Sequence, residues 1–123
     1  MYQIFFYKDK NGRRPVLEYI KTLMAKTDKD SRIKADKIND HIEYLKQAGN
    51  TAREPYAKHL DGEIWELRPL RDRILYAAWD GKSFILLHHF MKSTEKTPRR
   101  EIDKAKRNLA DYRERNKDDD KSG

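Results

Sequence analysis

Between Ile64 and Lys96 the chain gathers aromatic, aliphatic and cationic residues into one run: Ile64-Trp65-Glu66-Leu67-Arg68, then Arg73-Ile74-Leu75-Tyr76, then Phe84-Ile85-Leu86-Leu87-His88-His89-Phe90-Met91-Lys92-Ser93-Thr94-Glu95-Lys96. Such composition reads as strands, at 63–68, 73–79 and 83–91. Pro69-Leu70-Arg71-Asp72 and Asp80-Gly81 connect them, and the second of these is a strong hairpin signal. Neighbouring strands with connections this short form an antiparallel meander. Strands this apolar must pack, so the arginines and lysines at their ends are held on a rim. A fixed cationic rim suits a polyanion, and RNA is the first choice.

The flanking segments read as cover for that sheet. Residues 2–7 are aromatic and β-branched and predict a first strand, followed by a turn at Asn11-Gly12. Pro15 opens a helix whose stripe is Val16, Ile20, Leu23 and Met24. A second helix starts at Asp30 or Ser31, carries Ala35, Ile38, Ile42, Leu45 and Ala48, and ends at Gly49-Asn50 in a left-handed cap. A short edge strand is expected near 57–60. Thr97-Pro98 reads as an N-cap and first-position proline of a third helix, with Ile102, Ala105, Leu109 and Tyr112 inward and an end near Arg115. Residues 116–123 are expected to be a disordered charged tail. The fold class is therefore α+β: one domain over 1–115, built on a mainly antiparallel sheet of four or five strands. Two N-terminal helices pack on one face, a C-terminal helix follows, and the other face or its rim is left for a ligand.

Composition narrows the partners. The 123 residues are 37% hydrophobic and 40% charged, with net charge +7. That excess favours nucleic acid, an anionic membrane surface or an acidic protein. No apolar run reaches the ~20 residues of a membrane span. Met1-Tyr2-Gln3-Ile4-Phe5-Phe6-Tyr7 lacks a leading positive region and a small-residue cleavage site, so it does not read as a signal peptide. With no cysteine, disulfides and thiolate metal sites are excluded, and a cytoplasmic protein is expected.

Strand alternation places Trp65 and Leu67 on one face, and Ile64, Glu66 and Arg68 on the other. Arg68 and Arg73 either pair with Glu66, Asp72 or Asp61 as structural ions, or grip phosphate through their guanidinium forks. Arg73 sits at a strand start, where truncation is expected to open no core cavity. Lys92, Thr94 and Lys96 leave the last strand at alternate positions just before a helix N-terminus, which is either an anion site or a solvated loop. His88 and His89 must face opposite sides of their strand. One is packed or hydrogen-bonded, and the other is free for a ligand. His88 shares its face with Phe90 and Lys92 and is the better site candidate. His41 and His59 read as surface or boundary residues. Adjacent strand histidines cannot chelate one ion, so no metal site is expected. There is no Gly-rich phosphate loop and no nucleophile elbow. Arg99-Arg100, Lys104, Lys106 and Arg107 make the third helix basic, either as a solvated face or as a seat for a phosphate backbone.

The stretches Leu60-Asp61-Gly62-Glu63-Ile64-Trp65-Glu66-Leu67-Arg68, Arg73-Ile74-Leu75-Tyr76, Leu87-His88-His89-Phe90-Met91-Lys92-Ser93-Thr94-Glu95-Lys96-Thr97-Pro98 and Glu101-Ile102-Asp103-Lys104-Ala105 resemble the phage-derived, HigB-like branch of the RelE toxin superfamily. The likeness is tight over residues 60–112 and rests on element order before that. His89 departs from the family's usual Gly, and Ser93 from a frequent Lys. The resemblance implies a type II toxin, a metal-independent endoribonuclease that cuts mRNA, usually in the ribosomal A site. It implies silencing by an antitoxin with a helix-turn-helix DNA-binding domain, and it implies no cofactor. It makes Arg73 the superfamily's strand arginine, sets Lys92 and Lys96 in the basic loop, and puts Lys58 where relatives carry lysine. RNA cleavage needs a base for the 2′-hydroxyl, charge stabilisation of the phosphorane and an acid for the 5′-oxygen. Arg73 is assigned to phosphate stabilisation, Arg68 to positioning and Lys92 to proton transfer, with His88 as the alternative. Lys58, Thr94, Lys96 and Arg99 are assigned to RNA binding. The competing readings are a non-catalytic RNA- or ribosome-binding module that blocks translation by occupancy, and a small structural partner whose basic surface meets an acidic protein.

Overall fold

The computed structural model describes residues 1–122, of which 118–122 are described as backbone only. In chain order the elements are β1 (Gln3–Phe6), α1 (Pro15–Ala25), α2 (Lys29–Ala48), a 3-10 turn (Gly49–Thr51), β2 (Ala57–Asp61), β3 (Ile64–Leu67), β4 (Asp72–Asp80), β5 (Ser83–Met91) and α3 (Arg99–Ser122). The five strands form one sheet in the order β1-β5-β4-β3-β2. β1 runs parallel to β5, and the other three pairings are antiparallel. This is the expected α+β class, with the meander at its centre.

Local chemistry explains the helix ends. Pro15 opens α1, and the Glu18 carboxylate reaches back to accept from the Arg14 N–H at 3.0 Å. α2 starts at Lys29, ahead of the expected Asp30 or Ser31, because Asp28 is the cap and accepts from the Ser31 N–H at 2.9 Å. Gly49 ends α2 at φ +55°, and a Cβ there would run into the Tyr2 ring, so conformation and close approach both require glycine. Thr97 does not cap α3 with its side chain. Its hydroxyl donates instead to Glu66 on β3, while the Pro98 carbonyl accepts the first helical N–H groups. α3 also passes its expected end at Arg115: Asn116 donates to the Tyr112 carbonyl at 2.7 Å and Lys117 pairs with Glu114 at 3.0 Å. Asn116 and Lys117, expected in the disordered tail, are therefore helical, and Gly123 lies outside the described residues.

Both faces of the sheet are covered, which corrects the expectation of one open face. The α1–α2 hairpin packs Val16, Leu23, Ile38 and Leu45 on Leu67, Ile74, Tyr76 and Leu86. α3 packs Ala105 and Leu109 on Ile64, Leu75, Ala77, Ile85 and Leu87 of the opposite face. A register shift sets Leu75 opposite His88 but Tyr76 opposite Leu86, so Leu87 is the extra residue of a bulge. His88 consequently faces α3, while His89, paired with Ile74, faces the helical hairpin. With both faces occupied, open space for a ligand remains only where a loop lifts off the sheet.

Candidate functional site

Such a place exists at the ends of the central strands. β3 stops at Leu67, β4 begins at Asp72 and β5 ends at Met91, and residues 92–98 then cross to α3. Beneath that crossing lies a cavity of about 540 Å3, lined by Lys58, Glu66, Arg68, Arg73, Phe90, Lys92, Thr94, Lys96, Thr97 and Arg99, with His59 and Glu95 also on its wall. A larger apolar groove of about 850 Å3 between β1 and the α1–α2 hairpin includes Tyr2, Ile4, Phe6, Ile20 and Met24. It holds no cluster of cations, so the smaller cleft is the candidate site.

Arg73 is the deepest cation, only 6% exposed. Its Nη1 donates to the carbonyls of Leu70 and Asp72, each at 2.8 Å. The turn that supplies them contains Leu70 at φ +57°, a conformation costly for a branched side chain. Burial pulls the Arg73 pKa below its ordinary value; Glu66 and Asp72 oppose that and Arg68 adds to it. Arginine keeps its charge nonetheless, so the cleft floor is a fixed cation. The expectation that truncating Arg73 opens no cavity is corrected, because the side chain is buried and braces its own turn.

Arg68 is held by two carboxylates, Glu54 at 3.0 Å and Glu66 at 3.7 Å. It therefore combines the structural reading with a place on the cleft wall. Arg73 contacts the carbonyl of Asp72 and not its carboxylate. Asp61 instead pairs with Arg99 at 2.7 Å and Lys106 at 2.5 Å, fixing Arg99 at the rim. The crossing loop is tied to the start of β4: the Lys92 N–H donates to the Arg71 carbonyl at 2.8 Å and Arg71 Nη2 to the Lys92 carbonyl at 3.2 Å. Thr94 donates to the Lys96 carbonyl at 2.6 Å. Among the described residues Lys58, Lys92 and Lys96 have no ion-pair partner, which leaves their ammonium groups for a ligand.

The histidines are placed elsewhere. His88 does not line the cleft; its Nε2 meets the Glu101 carboxylate of α3 at 2.8 Å. His89, on the other face, stacks on Tyr19 and meets Asp72 at 3.0 Å. The expectation that one of the pair faces a ligand is corrected: both are hydrogen-bonded within the fold, His88 to Glu101 of α3 and His89 to Asp72 at the start of β4, beneath the Tyr19 ring of α1. His41 is buried, and burial lowers its pKa against an opposing hydrogen bond to the Lys37 carbonyl. Asp72 is 1% exposed and accepts from Tyr19 as well as His89. Burial alone would raise its pKa, but those bonds and the nearby Lys34 charge outweigh burial and hold it below the usual value. Its Oδ2 is buried without a hydrogen-bond partner.

Glu66 is the cleft residue that the sequence pattern did not assign to the site. It is 3% exposed, and its Oε1 accepts from Thr97 at 2.5 Å. A buried carboxylate thus sits among six cationic side chains, Lys58, Arg68, Arg73, Lys92, Lys96 and Arg99. The available signal was an acid between Ile64 and Arg68 on one face of an otherwise apolar strand end, beside a cation it could hold. Together the groups can bind a phosphodiester, neutralise charge that builds on phosphorus, and accept a proton.

Among the described residues no group of three or more His, Asp or Glu side chains is placed to hold a metal ion. No helix among them is long and apolar enough to cross a membrane. No curated protein matches the chain. A family model described as "Phage derived protein Gp49-like (DUF891)" matches residues 18–110, from α1 through the first half of α3. That span holds every element lining the cleft, and the chain belongs to the phage-derived Gp49-like family.

Proposed function

We propose that this protein is the toxin of a type II toxin–antitoxin system, a HigB-like member of the RelE superfamily. It acts in the cytoplasm as a metal-independent endoribonuclease that cuts mRNA on the ribosome. Its partner is an antitoxin with a helix-turn-helix DNA-binding domain. One observation carries the reading: Lys58, Arg68, Arg73, Lys92, Thr94, Lys96 and Arg99, drawn from separated stretches, line one cleft. The Gp49-like family and the motifs that resemble HigB-like toxins support it.

In this mechanism the phosphodiester lies against Arg73, with Lys58, Lys92 and Lys96 on the flanking phosphates. A base takes the 2′-hydroxyl proton and the 2′-oxygen attacks phosphorus. The 5′-oxygen leaves with a proton from an acid, giving a 2′,3′-cyclic phosphate and a free 5′-hydroxyl. Arg73 stabilises the charge on the phosphorane, and Arg68 positions the strand. Lys92 and Glu66 are the proton carriers within reach of the cleft. His88, turned to Glu101, is dropped from the reaction.

Primer extension on mRNA from expressing cells tests this. New 5′ ends inside messages are the expected result. Translation arrest with intact messages would replace the nuclease with an occupancy blocker.

A further inference from the structure

The turn that holds Arg68 also presents an aromatic ring that the fold leaves open. Tyr56 is 45% exposed. One side of its ring is backed by Tyr44, centroids 4.6 Å apart, and by His41 at 5.4 Å. Tyr44 is itself held, because its hydroxyl accepts from the Arg53 N–H at 2.9 Å. The Tyr56 ring is thus held by two neighbours while nearly half of the residue stays in solvent.

Its backbone ties it to the cleft. The Tyr56 carbonyl accepts from the Arg68 N–H at 3.0 Å, and Glu54 of the same turn holds the Arg68 guanidinium at 3.0 Å. The chain then passes through Ala57 to Lys58, which lines the cleft. Tyr56 and Phe5 are the two exposed large aromatics among the described residues. Phe5 lies on β1, at the far edge of the sheet from β2, whereas Tyr56 is bonded through its carbonyl to Arg68 and stands two residues before Lys58.

We propose that Tyr56 is a nucleobase-stacking subsite for single-stranded RNA, receiving the base next to the nucleotide whose phosphate Arg68 and Lys58 hold. The inference rests on the cleft being an RNA site. Single-strand sites combine a cationic track for the backbone with aromatic faces for the bases. The cleft is rich in the first and poor in the second: its carbocyclic ring is Phe90, half-buried and stacked on His88. Packing on Tyr44 and His41 leaves 45% of Tyr56 exposed, aromatic surface that the fold does not use. Stacking tolerates any base, so the subsite adds affinity without selecting sequence.

The test is binding of a short fluorescent single-stranded RNA, and of the same RNA with one abasic position scanned along it. Tyr56→Ala is expected to weaken binding roughly 5- to 100-fold, and Tyr56→Phe to restore it. For the wild type, one abasic position should reproduce the loss, and in Tyr56→Ala that same position should have no further effect. The salt dependence should be unchanged, since no phosphate contact is removed. Lys58→Ala with Lys92→Ala is the control, and it should weaken binding and flatten the salt slope. If that control binds like wild type, the cleft reading falls and the subsite with it. If the control weakens binding but Tyr56→Ala and every abasic position do not, or if Phe fails to restore what Ala loses, only the subsite falls. The abasic arm leaves the protein unaltered, so a folding defect in Tyr56→Ala cannot mimic the result.

Discussion

Tyr19 of α1 and His89 of β5 lie ring on ring, 3.7 Å between centroids, and both donate to the same oxygen of Asp72. Asp72 opens β4, and its own carbonyl holds Arg73 on the other side of the sheet. The helical hairpin is thereby connected through one buried carboxylate to the floor of the cationic cleft. Asp72→Asn keeps the shape but removes the charge that both donors meet. It is expected to destabilise the fold by about 1–3 kcal/mol, as for charge-assisted bonds in a buried site. Chemical denaturation of the two proteins side by side measures it, and equal midpoints would mean that the network is idle.

Arg73→Ala is expected to abolish toxicity and also to lower stability by about 1–3 kcal/mol, because the Leu70 and Asp72 carbonyls lose their donor. Arg73→Lys should keep a charge in the cleft but not the paired geometry. Growth assays read beside thermal melts separate the two effects. A folded Arg73→Ala protein with full toxicity would make the arginine purely structural. Leu75→Ala, at a fully buried core position, is the contrasting case, with an expected loss of ~2–5 kcal/mol.

Glu66→Gln and Lys92→Ala should fail in different ways. Removing the carboxylate takes a negative charge out of a cationic cleft, so RNA binding should hold or tighten while cleavage falls about 10^2- to 10^4-fold. Lys92→Ala should weaken binding and reduce its salt slope by about one counterion. If Glu66→Gln cleaves at the wild-type rate, proton transfer belongs to Lys92.

Acid should loosen the contact between β2 and α3. Hydrogen bonds from Lys106 and then Arg99 hold the Asp61 carboxyl down from 3.8 to about 2. Because the unfolded chain binds that proton at higher pH than the folded one, the stabilisation is complete above about 3.8 and disappears as pH falls through about 2. Denaturation series between those limits should show a shallower acid slope in Asp61→Asn than in wild type. Parallel slopes would mean that the pairing is too screened to count.

Cleavage is expected to continue with chelator, either on a ribosome-bound message at a level low enough to preserve the ribosome or on naked RNA in excess, with raised salt weakening binding steeply through counterion release. Activity lost with chelator and regained with a divalent ion would overturn the cationic mechanism.

Periodicity and turn chemistry were enough to read the strand and helix order, because both are local: Pro15 can open a helix and Asp80-Gly81 can reverse a strand whatever surrounds them. The cations at the strand ends were legible for the same reason, since β alternation puts Arg68 with Glu66, and Arg73 begins the next strand. Which groups they would meet was not legible. Glu66 takes the hydroxyl of Thr97 from beyond two further strands, and that contact removes the side-chain cap expected of Thr97. His88 finds Glu101 only because α3 covers the second face, and a bulge at Leu87 turns it that way. Arg73 is buried because Leu70 bends back in a conformation that its side chain disfavours, bringing two carbonyls to the guanidinium. These outcomes depend on contacts between segments far apart in the chain. Such contacts are chosen by which surfaces pack against which, and no short window of residues carries that information.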